Sequence, residues 1–254
     1  MKISAQSAMY AKHAQLMDEQ KRNYFDCPNQ DVLSLIPMNV ERVLEIGCGA
    51  GATLRAFKED CTVKGRTCEV VGIDIEAGAV AQGRQYLDAM YLMNIEEDEL
   101  TNYPHGYFDL IIMNFVLEHV VNPWATLRKW LQLLRVGGYA IIGVPNIANF
   151  RFLRRLLLND EFTYEPEGIL DWTHLRYFTE SSLKKLLLDT GLSISLCQGL
   201  PKEGQFGRGK KGYLVRLFPS LKRFGFYAYV VLAQKETDIS DLDDYIPFEK
   251  TYTL

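Results

Sequence analysis

The sequence lacks the features that mark secreted, disulfide-bonded and membrane-spanning proteins. Its cysteines are odd in number and form no C-x-x-C pair, which argues against a disulfide framework or a zinc site and for reduced thiols in a cytosol. No apolar run approaches the ~18–20 residues needed to cross a bilayer, and residues 1–23 contain no signal-peptide apolar core. We therefore expect a cytoplasmic protein with no transmembrane segment and no metal site. The five cysteines are Cys27, Cys48, Cys61, Cys68 and Cys197.

An excess of charge of either sign is also missing. The net charge of −4 gives no general reason to expect binding to nucleic acid or to an anionic membrane surface. Hydrophobic residues at 48% and charged residues at 24% match the globular average. The 254 residues suffice for one α/β domain with a well-buried core or for two small ones. Because no internal repeat or linker divides the chain, one main domain is predicted.

What the sequence does contain is a glycine-rich turn after a short apolar run, at Val43–Gly51. The apolar residues predict a buried strand, and Gly47, Gly49 and Gly51 predict a tight turn into a helix. Glycine there accepts positive φ and lets a ligand approach the backbone closely. Gly47, Gly49 and Ala52 also satisfy the dinucleotide pattern G-x-G-x-x-A, so the glycines alone do not separate NAD from S-adenosylmethionine (SAM).

Two acidic residues favour SAM. Glu45 stands two positions before the first glycine, where a carboxylate suits the ammonium and sulfonium charges of SAM and would repel a pyrophosphate. The run Val70–Asp74 predicts a second buried strand, and its final acid lies about where a ribose-binding carboxylate is expected. An NAD-dependent oxidoreductase remains the alternative at this point.

Strands and helices alternate along the rest of the chain. This alternation predicts an α/β protein with a doubly wound, mostly parallel sheet and helices on both faces. Ligands of such sheets sit outside the carboxyl ends of the strands, where Glu45, Asp74, Asn94 and Asn114 fall. Besides the two strands above, strands are predicted at 89–93, 108–114, 139–144, 192–200 and 227–234. Helices are predicted at 52–58, 76–87, 123–135, 149–158 and 179–190.

Several of these segments together resemble class I SAM-dependent methyltransferases. Val43–Gly51 resembles motif I and Val70–Asp74 the acidic strand that follows it; Phe108–Asn114, Leu117–Val120 and Leu134–Tyr139 continue the series. The resemblance implies a Rossmann-like sheet of seven strands whose last strand is antiparallel. It also implies a helical lid at 1–37 and a methyltransferase domain at 38–235. Acceptor-side insertions are expected at about 146–178 and 201–224, and an acidic tail at 236–254.

The same resemblance implies SAM as cofactor, S-adenosylhomocysteine as product, and a set of contacts. The first strand and its turn would hold the methionine end, Asp74 the ribose hydroxyls, and Ile75 the adenine. Asn94 departs from the acidic residue that the family usually has at the adenine edge, although an amide oxygen can still accept the same N–H bond. The expected cofactor residues are Glu45, Gly47, Cys48, Gly49, Gly51, Asp74, Ile75, Met93, Asn94, Asn114 and Tyr24.

Histidines near the carboxyl edge of the sheet are the candidates for a general base. A hydroxyl acceptor has a high pKa and benefits from a base, whereas a neutral amine needs none. His174 follows Asp171 by three residues, a spacing that would let the carboxylate orient the imidazole, and His119 follows the fourth strand. We expect His174 to be the base, His119 the second candidate and Asp171 the orienting residue. A structural role for either histidine is the alternative.

The acceptor is the least determined part of the prediction. The segment Asp171–Thr179 resembles an element of methyltransferases from bacterial surface-polysaccharide and other sugar-modifying pathways. O-methylation of a sugar or glycan intermediate is therefore expected. A phosphate on that acceptor could meet the basic stretch 202–223, for which a solvated surface is the simpler interpretation. N- or O-methylation of a small metabolite and a non-catalytic partner subunit remain alternatives, and no oligomeric state is predicted.

Overall fold

Seven strands form one mixed sheet in this computed structural model, which describes residues 27–201 and 219–238. The strands are β1 Arg42–Ile46, β2 Glu69–Asp74, β3 Ala89–Leu92, β4 Phe108–Asn114, β5 Leu134–Pro145, β6 Leu192–Pro201 and β7 Phe226–Lys235. Their spatial order is β3-β2-β1-β4-β5-β7-β6. The first five pair in parallel, and β7 runs antiparallel to both β5 and β6. The predicted mostly parallel, seven-stranded α/β sheet with an antiparallel last strand is confirmed.

The helices begin at capping residues that the sequence marks. Thr179 caps the last one in a capping box with Ser182, and Asn149 caps the helix before it through the Arg151 amide. Pro123 occupies the first turn of another, where its missing N–H costs nothing. The helices are α1 Gln30–Leu33, α2 Ala52–Val63, α3 Ala77–Gly83, α4 Pro123–Leu131, α5 Phe150–Asn159 and α6 Glu180–Asp189, with 3₁₀ turns at Leu117–His119 and Pro219–Gly225.

Both faces of the central strands are buried. Val43 contributes to one apolar cluster and Leu44 to the other, because successive side chains of a strand point to opposite faces. In β4 every residue up to Met113 is buried, and only Asn114, at the carboxyl end, is partly exposed. A sheet covered on both faces thus leaves the carboxyl ends of its strands as the place for chemistry.

The helix predicted at 123–135 is the largest error in the local prediction. Helix α4 ends at Leu131 and Leu134 already begins β5. Gly137 and Gly138, which follow the predicted helix, lie inside the strand, where the pairing with β4 jumps from Leu134 to Tyr139. Gly137 has φ +75°, which glycine adopts freely and which marks the strand bulge. The bounds at 52–58 and 76–87 also differ, since α2 runs on to Val63 and α3 stops at Gly83.

Parts of the predicted domain layout lie outside the described residues. These parts are residues 1–26 of the predicted lid, with Tyr24, most of the basic stretch 202–223, and the tail from 239 onward. Of the lid, α1 is described: Val32 packs into the same apolar cluster as Leu54 and Phe57 of α2. Among the residues that the structure describes, no helix is long and apolar enough to cross a membrane.

At the amino-terminal edge of the sheet, one buried carboxylate joins three strands. Asp109 accepts hydrogen bonds from the backbone amides of Glu41 and Arg42, and its side chain pairs with Arg42 at 3.2 Å and with Arg135 at 2.7 Å. Burial alone would raise the pKa of Asp109, but the hydrogen bonds from Arg135 and Arg42 outweigh it and lower that pKa to about 2. This acid is fully compensated and serves the fold.

Candidate active site

The glycine turn after β1 closes on its own neighbours. The amides of Gly47 and Cys48 both donate to the carbonyl of Ile73, at 2.8 and 3.2 Å, and the amide of Gly49 donates to Asp74 Oδ2 at 2.7 Å. Gly51 donates to the Cys48 carbonyl at 2.9 Å. These N–H groups are therefore already engaged, whereas a dinucleotide site needs such donors for its pyrophosphate.

Positive φ angles explain the glycines of this turn. Gly47, Gly49 and Gly51 have φ of +71°, +56° and +78°, a region that other residues rarely enter. A Cβ on Gly47 would also lie 2.5 Å from Val116, and one on Gly51 would lie 2.8 Å from Leu87. The predicted tight turn is thus confirmed, with close packing as a second reason for glycine.

Glu45 lies beneath this turn as a buried acid. Its side chain is 6% exposed, and within the described ranges its Oε2 has no hydrogen-bond partner. Burial first, and the nearby charge of Asp74 second, raise the pKa of Glu45 to about 8. A buried carboxyl without compensation is costly for a fold, so this position is suited to a cationic ligand group that would supply the compensation.

Asp74 ends β2 beside the same turn. Besides the Gly49 amide, its carboxylate accepts the Glu76 amide at 2.9 Å, and burial raises its pKa. Each carboxylate oxygen accepts more than one hydrogen bond, so these contacts leave capacity for ligand hydroxyls. Ile75 follows and is 57% exposed, an apolar surface of the kind that can cover a flat ring.

The other predicted cofactor residues are spread around this edge. Met93 packs against the core next to β3, and Asn94 Oδ1 accepts the Glu96 amide at 3.1 Å. The thiol of Cys48 lies 3.6 Å from both Met90 Sδ and the Gly49 carbonyl oxygen. Asn114 Oδ1 is buried, and among the described residues it has no hydrogen-bond partner.

A strained residue follows Asn114. Phe115 has φ +59°, which is unusual for a bulky side chain and is typical of functional edges. Its amide donates to the Gly143 carbonyl at 2.9 Å, and a Cβ on Gly143 would collide with the Asn114 side chain. Phe115 and Gly143 were not predicted from the sequence, because their roles depend on the packing of β4 beside β5.

The observed arrangement fits SAM and not NAD. The acids at the ends of β1 and β2 match the cationic methionine end and the ribose, and the exposed Ile75 matches the adenine. The engaged turn amides and the buried Glu45 do not match a pyrophosphate. We conclude that the residues present fit SAM, on chemistry and burial together.

A second set of polar side chains lies at the carboxyl end of β4. Thr173 Oγ1 donates to Asp171 Oδ1 at 2.7 Å, and the Thr173 amide donates to the same oxygen at 2.8 Å. Because the only proton of the Thr173 hydroxyl is used in that bond, Thr173 Oγ1 accepts a hydrogen bond from His119 Nδ1 at 3.0 Å. Neutral His119 is then the Nδ1–H tautomer, and its lone pair is on Nε2.

His174 is held differently from the prediction. Its Nδ1 lies 3.0 Å from the carbonyl of Ile169, an acceptor, so this ring is also the Nδ1–H tautomer. Asp171 Oδ1 accepts its hydrogen bonds from Thr173, and Asp171 influences His174 by charge. Burial lowers the pKa of His174, and the hydrogen bond to Ile169 and the charge of Asp171 oppose that shift only in part. The expected direct orientation of His174 by Asp171 is therefore corrected to orientation of His119 through Thr173.

Glu118 completes this cluster. It is 1% exposed, and across the described chain neither of its carboxylate oxygens has a hydrogen-bond partner. Burial, with a contribution from the charge of Asp171, raises the pKa of Glu118 to about 8. The ring centroids of His119 and His174 are 4.8 Å apart, and the two rings meet edge to face. We call Glu118, His119 and His174 the Glu–His–His cluster.

Backbone contacts join the two segments of the cluster and tie them to the glycine turn. The amides of Leu175 and Arg176 both donate to the Glu118 carbonyl, at 2.7 and 3.0 Å. The His119 amide donates to Val116, the residue that packs on Gly47. The sequence analysis missed Glu118 and Thr173, although both lie in motifs that it used, because no spacing rule shows that residues 118 and 173 meet.

A mostly parallel open sheet with acids at the ends of β1 and β2, beside a glycine turn, is the architecture of Rossmann-like proteins. A family model described as a methyltransferase domain matches residues 12–195. The chain therefore belongs to the methyltransferase-domain family.

Individual relatives agree with this assignment. The ubiquinone biosynthesis O-methyltransferase of Bradyrhizobium sp. (strain ORS 278) is 28% identical over 167 residues, 63% of this chain and 61% of the relative. The chain thus spans about three fifths of the length of that curated relative.

Two solved structures share the fold. A chain of the complex between the Haloferax volcanii Trm112 methyltransferase activator and a methyltransferase superposes with a TM-score of 0.60 at 15% identity, covering 92% of this chain and 98% of that one. A Thermotoga maritima SAM-dependent methyltransferase, described as a possible histamine N-methyltransferase, gives 0.59 at 18% identity, covering 88% and 99%. At these identities the likeness concerns the fold alone.

Proposed function

We propose that this protein is a SAM-dependent methyltransferase that methylates a hydroxyl group. The observation that carries the cofactor half of the proposal is Glu45, a buried carboxyl beneath a glycine turn whose amides are already engaged. Membership of the methyltransferase-domain family supports it independently. Bound SAM would supply a methyl group on a sulfonium centre.

The residues at the edge of β1 and β2 would hold that cofactor. Glu45 would pair with its ammonium group, Asp74 would accept the ribose hydroxyls, and Ile75 would pack on the adenine, with Met93 and Asn94 at its edge. Asn114 lies at the neighbouring strand end. In this role the chain contributes mainly position, because in-line transfer needs the acceptor atom held behind the methyl carbon.

The Glu–His–His cluster supports a hydroxyl as the acceptor. A neutral amine needs no help to lose a proton, whereas a hydroxyl does. Two imidazoles with their Nε2 lone pairs, beside a buried carboxyl, can promote the loss of that proton. His119 takes precedence over His174 in the proposal, because a carboxylate, that of Asp171, supports it through Thr173, whereas His174 is held by a neutral backbone carbonyl.

Two acceptor classes have support from different sources. The segment Asp171–Thr179 favours a sugar or glycan intermediate, through its resemblance to sugar-modifying methyltransferases. The name of the Bradyrhizobium relative favours an intermediate of ubiquinone biosynthesis. Screening both classes with isotope-labelled SAM and detecting labelled product by mass spectrometry would separate them.

Calorimetry with SAM, S-adenosylhomocysteine and NAD tests the proposed function at its first step. We expect the two adenosyl compounds to bind and NAD to show no heat. Binding of NAD alone would overturn the proposal. Methyl transfer to amine acceptors only would overturn the part of the proposal that names a hydroxyl acceptor.

A further inference from the structure

We propose that the Glu–His–His cluster is a binding site for a divalent transition-metal cation. The inference rests on the proposed function, since the cation would lie where the acceptor hydroxyl is placed. One ligand atom from each of Glu118, His119 and His174 can be chosen so that all three lie within 4.8 Å of one another.

The first argument is the chemistry of the three donors. Two imidazoles and one carboxylate form a common open metal site, with positions left for water or substrate. Donor atoms at ~2.1 Å from one tetrahedral cation are about 3.4 Å apart. From separations of up to 4.8 Å, the donors would have to approach one another by at most about 1.4 Å, which is within the range of side-chain rotation.

The second argument is the orientation of the rings. Each histidine uses Nδ1 on a fixed partner, His119 on Thr173 and His174 on the Ile169 carbonyl. Each therefore keeps its lone pair on Nε2, the form that ligates metals. A carboxylate or carbonyl behind the second nitrogen is the usual support of a metal-bound histidine, here Asp171 through Thr173 for one ring and a backbone carbonyl for the other.

The third argument is Glu118. Its carboxylate is 1% exposed and, within the part of the chain that the structure describes, neither oxygen has a hydrogen-bond partner. A buried carboxylate without a partner is costly. A cation coordinated by both histidines would supply the missing compensation, whereas a purely structural cluster leaves Glu118 unexplained.

A bound cation would change how the hydroxyl is activated. The acceptor oxygen would occupy an open coordination position, and its O–H bond would break with the proton passing to solvent. The electron pair left on the oxygen would form the bond to the methyl carbon while the bond between that carbon and sulfur breaks, leaving its pair on the sulfur of S-adenosylhomocysteine. The two imidazoles would then act as ligands, which accounts for a pair of histidines where one base would suffice.

Titration of the chelator-treated full-length protein with Mn²⁺, followed by electron paramagnetic resonance, tests the inference without using activity. We expect one bound Mn²⁺ per chain, displaced by Zn²⁺ and poorly by Mg²⁺, because imidazole-rich sites favour transition metals. Glu118→Gln and His174→Ala should weaken binding by more than 100-fold. Thr173→Val, which removes support behind His119, should weaken it about 10- to 100-fold.

His105→Ala is the matched control, since it removes an exposed histidine outside the cluster, and it should bind Mn²⁺ as the wild type does. Absence of Mn²⁺ binding to the wild type, or unchanged binding in Glu118→Gln and His174→Ala, would overturn the inference. The wild-type titration decides the matter even if a variant does not fold. SAM calorimetry on the same samples keeps the two proposals apart, because SAM binding without Mn²⁺ binding rejects only the cation site.

Discussion

The two edges of the sheet differ in whether their buried acids have compensating partners. At the amino-terminal edge, Asp109 is met by two guanidinium groups and two backbone amides, and its pKa falls to about 2. At the carboxyl-terminal edge, Glu45 and Glu118 are also buried but lack such compensation, and the pKa of each rises to about 8.

This difference separates stability from function within one sheet. A compensated carboxylate at one edge joins β1, β4 and β5, whereas carboxyl groups without compensation lie at the other edge, where a ligand would bind. Changes at the first edge should therefore lower stability and leave ligand binding intact, and changes at the second should do the reverse. Four measurements test this difference between the two edges.

The largest effect is expected for His119→Ala. Groups that promote proton loss in the transition state contribute about 10²- to 10⁴-fold, so kcat at saturating SAM should fall by that factor while the SAM dissociation constant stays close to the wild type. His105→Ala should keep full activity. A wild-type kcat in His119→Ala, together with a collapse in His174→Ala, would return the principal role to His174.

The next effect concerns pH and Glu45. In the folded protein without ligand this carboxyl keeps its proton up to about pH 8, whereas in the unfolded chain it loses it above about pH 4.5. Unfolding then releases a proton between these values, so stability falls as pH rises, by at most about 4 kcal/mol between pH 5 and 8. Glu118 contributes a slope of the same sign, so Glu45→Gln, which stays neutral, should lose only the part due to Glu45. Urea unfolding at pH 5 and pH 8 should show a smaller loss of stability in the variant than in the wild type, and an equal loss in both would contradict the prediction.

A smaller effect is expected for Asp109→Ala. The loss leaves two amides and two guanidinium groups without their acceptor, and the arginine side chains are 37% and 35% exposed, so solvent screens part of the loss. We expect the free energy of unfolding to fall by about 2–4 kcal/mol, measured by urea denaturation. SAM affinity of the folded variant should be unchanged, and a weakened affinity at wild-type stability would contradict the proposed division between the edges.

The smallest effect is expected for Asp74→Ala, measured as SAM affinity. Ribose hydroxyls that lose a charged acceptor should cost about 1.5–3 kcal/mol, or one to two decades in the dissociation constant. Asp74→Asn keeps an acceptor for only one of the Gly49 and Glu76 amides, because these bond to different oxygens of the carboxylate; it serves as a partial control for the turn. Unchanged SAM affinity in the folded alanine variant would remove Asp74 from the site.

The local sequence determined the strands, the helix caps and the glycine turn. Strands buried on both faces, such as β4, are mainly apolar, and the one acid within β4, Asp109, is compensated. Thr179 and Asn149 cap helices through their own side chains, and positive φ at Gly47 admits few residues besides glycine. The positions of Glu45 and Asp74 followed as well, because parallel strands bring their carboxyl ends to one edge. Gly137 and Gly138 misled the prediction, since glycine marks a strand bulge as readily as a helix end.

Only the tertiary structure decided which groups meet across long separations in the chain. Asp171 and His174 are close in sequence, yet the hydrogen-bonded chain from Asp171 runs to His119. Thr173 donates to Asp171 and accepts from His119, which is 54 residues from Thr173. In the sequence Glu118 is one acid in a common motif. In the structure the loop before α6 covers it, and it lies buried beside two histidines. Burial and hydrogen-bond partners are properties of packing, and they turn an ordinary carboxylate into either a support for the fold, as at Asp109, or a candidate ligand, as at Glu118.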